Sequence, residues 1–372
     1  MKEFQNPKIS NRAGLKALFL LFAALLLAWL IVPCLALGAD IGDDVKVHFN
    51  ADQNAQSAPE TPLAQAAPGS ESAASETQTP SSDTAVSQAA ETAVFRILDS
   101  LKDEVFEVDD RTFLIGTLAA ELAPTYHAEA LKAQAVAAYT YYCSLRNARK
   151  MTQSSALKGA DFAANPSQWL IYASKEQMQE RWGENFDAYY RNLCDAVDAV
   201  WGQTLQQNGE LITATYYAIS GGTTVDAKEV FGNARSYLVP VASPGDVYAE
   251  GFRTTLTLTP EQVQTAAKNA WDCTLEGDPN AWFGQIVRDS SGYVSSVVIG
   301  GAERKGTQAR TAFGLRSANF EVAYENGAFT FSVKGYGHGV GMSQVGAQYM
   351  ASQGSAYHEI LAWYYPNTEL VK

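Results

Sequence analysis

The chain has few of the side chains on which most hydrolytic and redox chemistry depends. Its 372 residues include four histidines, and only His127, His338 and His358 lie beyond residue 92. No HExxH is present: Glu359 follows His358, but no second histidine stands four residues on, so the zinc-protease signature fails. Cysteine is equally scarce. Cys34 follows Pro33 inside an apolar run, a poor setting for a lipoprotein cysteine, while Cys143, Cys194 and Cys273 show no CxxC spacing. Neither a disulfide framework nor a zinc ribbon is indicated, and one bridge or three free thiols stay open. Ser220 in AISGG lacks the glycine two residues earlier that a nucleophile elbow needs. The glycines of GYGHGVGMSQVGAQ, Gly335 to Gln348, miss the GxGxxG dinucleotide spacing. Basic residues are outnumbered 27 to 40, a net charge of −13, which argues against a nucleic-acid partner. Much of that excess acid lies in the segment of residues 39–92, and no internal repeat is visible.

What is present first is an N-terminal membrane signal. Residues 1–16 carry Lys2, Lys8, Arg12 and Lys16 against Glu3 and read as a cytoplasmic tail. Residues 17–38 are an uncharged apolar run, LFLLFAALLLAWLIVPCLAL at its heart, about one bilayer's worth of helix. Positive charge ahead of such a run places everything after it outside the cytoplasm. An uncleaved signal anchor is the favoured reading, because the run exceeds a usual signal core; a secretory signal cut near Ala36 to Asp40 is the alternative. Residues 39–92 are Ala, Ser, Thr, Gln, Pro and acids with almost no aromatic or branched side chains. Such a segment cannot offset the entropy of ordering, and as a flexible tether it would reach about 40 Å.

From residue 93 to 372 the pattern is that of a single α+β domain. VFRILD and EVFEVDD read as strands, and RTFLIGTLAAELA as a helix with Leu114, Ile115, Leu118 and Leu122 on one face. Pro124 closes it. An alanine-rich helix runs from near His127 through AEALKAQAVAAYTYYCSLRN, and a long helical pattern spans about Ser174 to Trp201. GELITATYYAIS is β-rich, TPEQVQTAAKNAW opens with a helix cap, and residues 284 to about 333 alternate like sheet.

Two features could carry chemistry. Glu121, in LAAELAP, borders the leucine stripe instead of the opposite face. Partial desolvation and the helix C-terminus both favour the protonated form of such a carboxyl, as a proton donor near neutral pH requires. A solvated helix-end glutamate is the plainer reading. The alternate glycines around His338 permit a sharply turned backbone close to another chain, as either a substrate-contacting loop or a tight strand-to-helix connection with a satisfied histidine.

Three stretches, in order, resemble one family. LAAELAP with EALKAQAVAAYTY, then YYAISGGTTVDAKEVFG, then LRSANFEV with GYGHGVGMSQVGAQYMASQGSAYHEILAWYYPNTEL are similar to signatures of the stage II sporulation protein D family, which includes amidase-enhancer proteins. The resemblance implies a membrane-anchored peptidoglycan lytic transglycosylase whose catalytic acid falls on Glu121. It cuts the β-1,4 bond after N-acetylmuramic acid and leaves a 1,6-anhydro end. It also implies substrate contacts at Lys132, Gln134, Tyr139, Tyr217, Ser220, Gly221, Gly222, His338, Ser343 and Gln344. A cation beside Glu121 would lower its pKa, so Lys132, on one face with Val136 and Tyr139, is assigned to the substrate. Tyr216, Tyr217 and Tyr336 would offer rings for sugar stacking, with core packing the equal alternative for each.

The chain also departs from the family pattern. Arginine is usual where Tyr139 stands, histidine is frequent at Tyr217, and tryptophan is frequent at Tyr336 and Val345. Some relatives bind zinc between the second and third helices, where DFAANPSQWLIY has neither Cys nor His, so no metal and no cofactor are expected. The implied partners are glycan strands, an amidase that strips stem peptides, and membrane proteins of the engulfment complex. The implied location is the mother-cell membrane during sporulation. A non-catalytic wall-binding module that stimulates an amidase is the rival.

Overall fold

The computed structural model describes residues 93–152, 154–164 and 171–372. The tail, membrane segment and linker expected over residues 1–92 lie outside the described residues. The remainder is an α+β domain, as its sequence pattern predicts.

Strands β1 (Val94–Asp99) and β2 (Glu104–Asp109) form an antiparallel hairpin. The chain passes directly from β2 into helix α1 (Asp110–Glu121), because the Asp109 side chain accepts the Thr112 N–H as a cap. Leu122 is extended and ends α1 two residues before Pro124. Helix α2 (Ala128–Met151) returns beside α1. Its alanines Ala130, Ala133, Ala137 and Ala138 are almost fully buried, so neighbouring elements approach closely.

Strand β3 (Phe162–Ala164) joins β1 in parallel. The long helix expected over Ser174 to Trp201 is instead two, α3 (Lys175–Trp182) and α4 (Phe186–Ala199), split by a 3-10 turn at Gly183–Asn185. Gly183 takes φ 50° there, which ends the α-helical register. The β-rich stretch yields only short strands: β5 (Glu210–Leu211) pairs with β4 (Thr204–Gln207), and β6 (Tyr216–Tyr217) follows. Helix α5 (Ala227–Phe231) closes this half.

Residues 253–334 form a second unit with its own core. It holds β7 (Arg253–Leu258), α6 (Pro260–Trp271), β8 (Phe283–Arg288), β9 (Val294–Ile299), β10 (Ala302–Lys305), α7 (Gly306–Phe313), β11 (Phe320–Glu325) and β12 (Ala328–Lys334). Two three-stranded sheets, β10-β9-β8 and β11-β12-β7, enclose Val297, Ile299, Phe313, Phe329 and Phe331. Helix α7 lies where continuous sheet was expected. Gln308 bonds back to the Lys305 N–H and starts the helix, a cap that strand alternation conceals. The unit leaves and rejoins the main core at one point, where Gly335 N–H donates to Phe252 O at 2.8 Å.

The chain then forms β13 (Met342–Ser343), α8 (Gln344–Ser352), α9 (Tyr357–Tyr364) and β14 (Glu369–Val371). β13 pairs in parallel with β6, and β14 pairs with β4. Both α8 and α9 pack on α2, so the last thirty residues complete a core begun by the first elements.

An ion pair fastens the start of this core. Asp110, 2% exposed, receives both Arg146 amino groups, at 2.7 and 2.9 Å, and Tyr139 Oη donates to it at 3.1 Å. Removing one member of a buried pair leaves the other charge uncompensated. Asp110→Ala is therefore expected to lower unfolding free energy by about 3 kcal/mol in urea titrations. A loss below about 1 kcal/mol would show that the pair is too well solvated to matter.

Candidate functional site

Glu121 is the last residue of α1 and is half-buried. Gln344, the first residue of α8, donates from Nε2 to Glu121 Oε2 at 3.4 Å. Residues far apart in sequence, from LAAELAP and GHGVGMSQ, thus meet at one carboxyl. Tyr216 lies close by: burial pushes its phenol well above the ordinary range, and the Glu121 charge pushes it further. Tyr216 is therefore a neutral neighbour of the acid.

The GYGHGVGMSQ run is a tight connection into α8. His338 Nδ1 accepts the Val340 N–H at 3.1 Å, so its proton sits on Nε2, which faces the Tyr216 carbonyl at the same distance. Both ring nitrogens are engaged by backbone, and the ring packs between Tyr217 and Phe231. That geometry gives His338 a structural task and leaves it poorly placed to exchange protons with a substrate. Gly341 has φ +82°, and a Cβ there would lie 2.0 Å from Thr215 O. Glycine is required for β13 to sit against β6.

The AISGG segment is joined to this connection by a carboxylate that the sequence reading missed. Asp246 is fully buried in a 3-10 turn, Pro244–Tyr248. Its Oδ1 accepts the Ser220 N–H at 2.8 Å and the Ser343 hydroxyl at 2.5 Å, while Ser243 Oγ donates to Oδ2. With the Ser243 proton so committed, Tyr364 donates to Ser243, 2.5 Å away. Ser343 also caps α8 by accepting the Gly346 N–H. An acid among SPGDVY has no signal in one sequence that distinguishes it from a surface turn residue.

The other expected contacts divide by location. Ser220 Oγ accepts from Gly222 N–H, and Gly221 N–H donates to Tyr293 Oη at 2.9 Å. The SGG turn is thereby clamped by Tyr293 from the second unit. Lys132 is near the start of α2, but its Nζ is 2.7 Å from Glu129 Oε1, and Glu129 Oε2 accepts the Tyr357 N–H. Burial pushes the Glu129 carboxyl up, yet Lys132 and that N–H hold it below the ordinary range. The i, i+3 spacing of Glu129 and Lys132 was the available signal.

Four expected contacts need correction. Gln134 is 1% exposed and both ends of its amide lack a protein partner, so it is sealed from any surface substrate. Tyr139 meets Asp110 at the far end of α1, about 16 Å along the helix from Glu121, and stacks on Trp201. Its hydroxyl completes the ion-pair cluster and does not face the acid. Tyr216 and Tyr217 are 7% and 5% exposed, so their rings are core and offer no stacking surface. Tyr336 is half-buried with the Arg316 guanidinium 4.1 Å over its ring.

Cys143, Cys194 and Cys273 are free thiols. Burial pushes the Cys143 thiol up to about 11, which keeps it unreactive near neutral pH. Among the described residues, no three His, Cys, Asp or Glu side chains gather as a metal site would require.

Asp246 makes stability depend on pH in a defined sense. Burial raises its pKa, against the opposing pull of Ser243, Ser343 and the Ser220 N–H. Its favourable contribution is therefore complete below the ordinary aspartate value of about 3.9 and is lost as pH rises through the higher folded value. Asp246→Asn removes this titration. The stability of the parent relative to the variant should shrink as pH rises from about 4 towards neutrality, read as urea midpoints. A difference that stays flat or grows would contradict the buried-acid account.

Comparison with known proteins places these features in context. Residues 100–206 match the family described as Stage II sporulation protein. The chain is 32% identical over 261 residues to Stage II sporulation protein D of Bacillus subtilis (strain 168), covering 69% of this chain and 73% of that protein. It is 33% identical over 259 residues to the protein of that name from Bacillus amyloliquefaciens, with the same coverages. The Amidase enhancer of Bacillus subtilis (strain 168) is 27% identical over 309 residues, covering 69% of this chain and 40% of the relative. With Glu121 and the GHGVGMSQ connection converging as they do, the chain belongs to the stage II sporulation protein D family.

Proposed function

We propose that this protein is a peptidoglycan lytic transglycosylase acting in septal wall degradation and engulfment during sporulation. The observation that carries the reading is the half-buried Glu121 carboxyl, presented at a helix end and contacted by Gln344 from a motif more than two hundred residues away.

A single carboxyl suffices for this chemistry. Protonated Glu121 gives its proton to the glycosidic oxygen as the C1–O4 bond breaks and the N-acetylglucosamine side leaves. The C6 hydroxyl of the same muramic acid then attacks C1, and its proton passes to the Glu121 carboxylate. The acid is regenerated, a 1,6-anhydro ring is formed, and no water is consumed. An ordinary glycosidase needs a second carboxylate as nucleophile or base; here the sugar's own hydroxyl and 2-acetamido group take those parts. Glu121 is half-buried at the C-terminal end of α1, and the reading requires its carboxyl to be protonated before reaction. Gln344 Nε2 can donate to the carboxylate after proton transfer, and Tyr216 supplies an uncharged wall.

In this reading an amidase strips the stem peptides first, and an N-terminal membrane helix tethers the domain on the outer face of the mother-cell membrane, with other membrane proteins of the engulfment machinery. The similarity to a protein named Amidase enhancer favours one alternative, a non-catalytic wall-binding module that stimulates an amidase.

Peptide-free glycan strands separate the two. The wild type should release fragments with anhydromuramic ends, identified by mass spectrometry, and Glu121→Gln should lower the rate by about 10²- to 10⁴-fold. Undiminished product from the variant would end the catalytic assignment. Absence of product from wild type, together with stimulation of an added amidase, would establish the enhancer reading.

A further inference from the structure

With Tyr216 and Tyr217 buried, the sugar-stacking surface expected of a glycan-cleaving site must come from elsewhere. Tyr248 is 77% exposed, the most open aromatic ring among the described residues. It stacks on Tyr349 of α8, with ring centroids 5.9 Å apart and planes 24° from parallel. We infer that the Tyr248–Tyr349 pair is a glycan-binding subsite, a platform on which a pyranose ring of the strand rests beyond the bond that Glu121 addresses. The inference rests on the glycan-strand reading proposed above.

Position is the first argument. At 100° per residue around α8, Gln344, Gln348, Val345 and Tyr349 follow one another over about 140°. Gln348, Val345 and Tyr349 are half-exposed, whereas Gly346, Ala347 and Ala351 face the core. A strip that opens just beyond Gln344, itself 6% exposed where it touches Glu121, therefore leads to the aromatic pair, advancing about 7.5 Å along the helix. Tyr126, in the connection after Glu121, feels the charge of Asp246, in the same turn that carries Tyr248.

Rigidity is the second. Tyr248 stands two residues after Asp246, whose Oδ1 holds Ser343, the neighbour of Gln344. Ala249 N–H bonds back to Asp246 O at 2.9 Å. Gly245 presses so closely on Tyr349 that a Cβ there would lie 2.2 Å from its Cγ. The platform is thus fixed to the acid through Asp246, Ser343 and Gln344, so little order need be imposed on it by a ligand.

Chemistry selects the occupant. A tyrosine pair presents flat apolar faces with hydroxyls at their rims, matching the apolar face and hydroxyl edge of a pyranose. It supplies no cation for a stem-peptide carboxylate, and a strand already seated at Glu121 would pass over it.

The test measures binding, so that cleavage is not needed. In a Glu121→Gln background, the full chain is titrated with peptide-free glycan strands in a calorimeter. Adding Tyr248→Ala should weaken binding about 3- to 10-fold, the scale of one aromatic stacking contact. Tyr248→Trp should restore it, and Val287→Ser, an exposed change in the second unit, should have no effect. Equal affinity for the parent and the Tyr248→Ala chain overturns the platform alone. A parent that binds no strand overturns both the platform and the glycan reading. The ring is so exposed that Tyr248→Ala leaves the core intact, which circular dichroism checks.

Discussion

The structure around the candidate site depends on how one buried carboxylate is satisfied. Asp246 has no cation among its named partners; it is held by the Ser220 N–H and the hydroxyls of Ser243 and Ser343. An unsatisfied acid in that position would be costly, so these groups must arrive together. Ser220 belongs to the SGG turn, Ser343 caps α8, and Ser243 is held in turn by Tyr364 of α9. The placement of Gln344 against Glu121 follows, because Gln344 is the residue after the one Asp246 holds. Local hydrogen bonding thereby sets the geometry of a site whose acid sits on a different helix.

The second unit contributes to the same constraint. Inserted between the SGG and GHGVGMSQ segments, it returns the chain to within one hydrogen bond of its departure, at Phe252 and Gly335. It also sends Tyr293 back to the Gly221 N–H. Its own aromatic core, with Phe313, Phe329 and Phe331, makes it a stable wedge. The two glycine-rich segments pair beside it, through Ile219 with Tyr336 and β6 with β13, so their register does not depend on short strands alone.

Much of this was legible in the sequence where the determinants are local. The β1–β2 hairpin, α1, α2 and α6 follow from periodicity and caps, and the leucine edge beside Glu121 follows from the helical wheel. What was hidden depends on tertiary contact. Asp246 in SPGDVY looks like any turn acid until three donors surround it. Tyr139 shares a helical face with Lys132, yet a 24-residue helix spans both ends of its antiparallel neighbour, so one face serves two places. Lys132 lies near the Glu121 end, while Tyr139 meets Asp110 at the other. The division of Ser174 to Trp201 turned on one positive φ at Gly183, which helical periodicity on either side does not register.

The position of Tyr139 changes what its identity means. An arginine there would share α2 with Arg146 and compete for Asp110, which already receives two guanidinium hydrogen bonds from Arg146. A neutral phenol instead donates one bond to the same carboxylate, and burial keeps its proton in place by pushing its pKa upward. The cluster is therefore balanced where it stands: one cation, one anion and one neutral donor, with Trp201 stacked on the Tyr139 ring. Because that cluster is a helix length away from Glu121, the residue at this position bears first on how α1 is fixed. Its influence on the acid is transmitted through the orientation of α1, whose C-terminal end must present Glu121 to Gln344 for the site to exist at all.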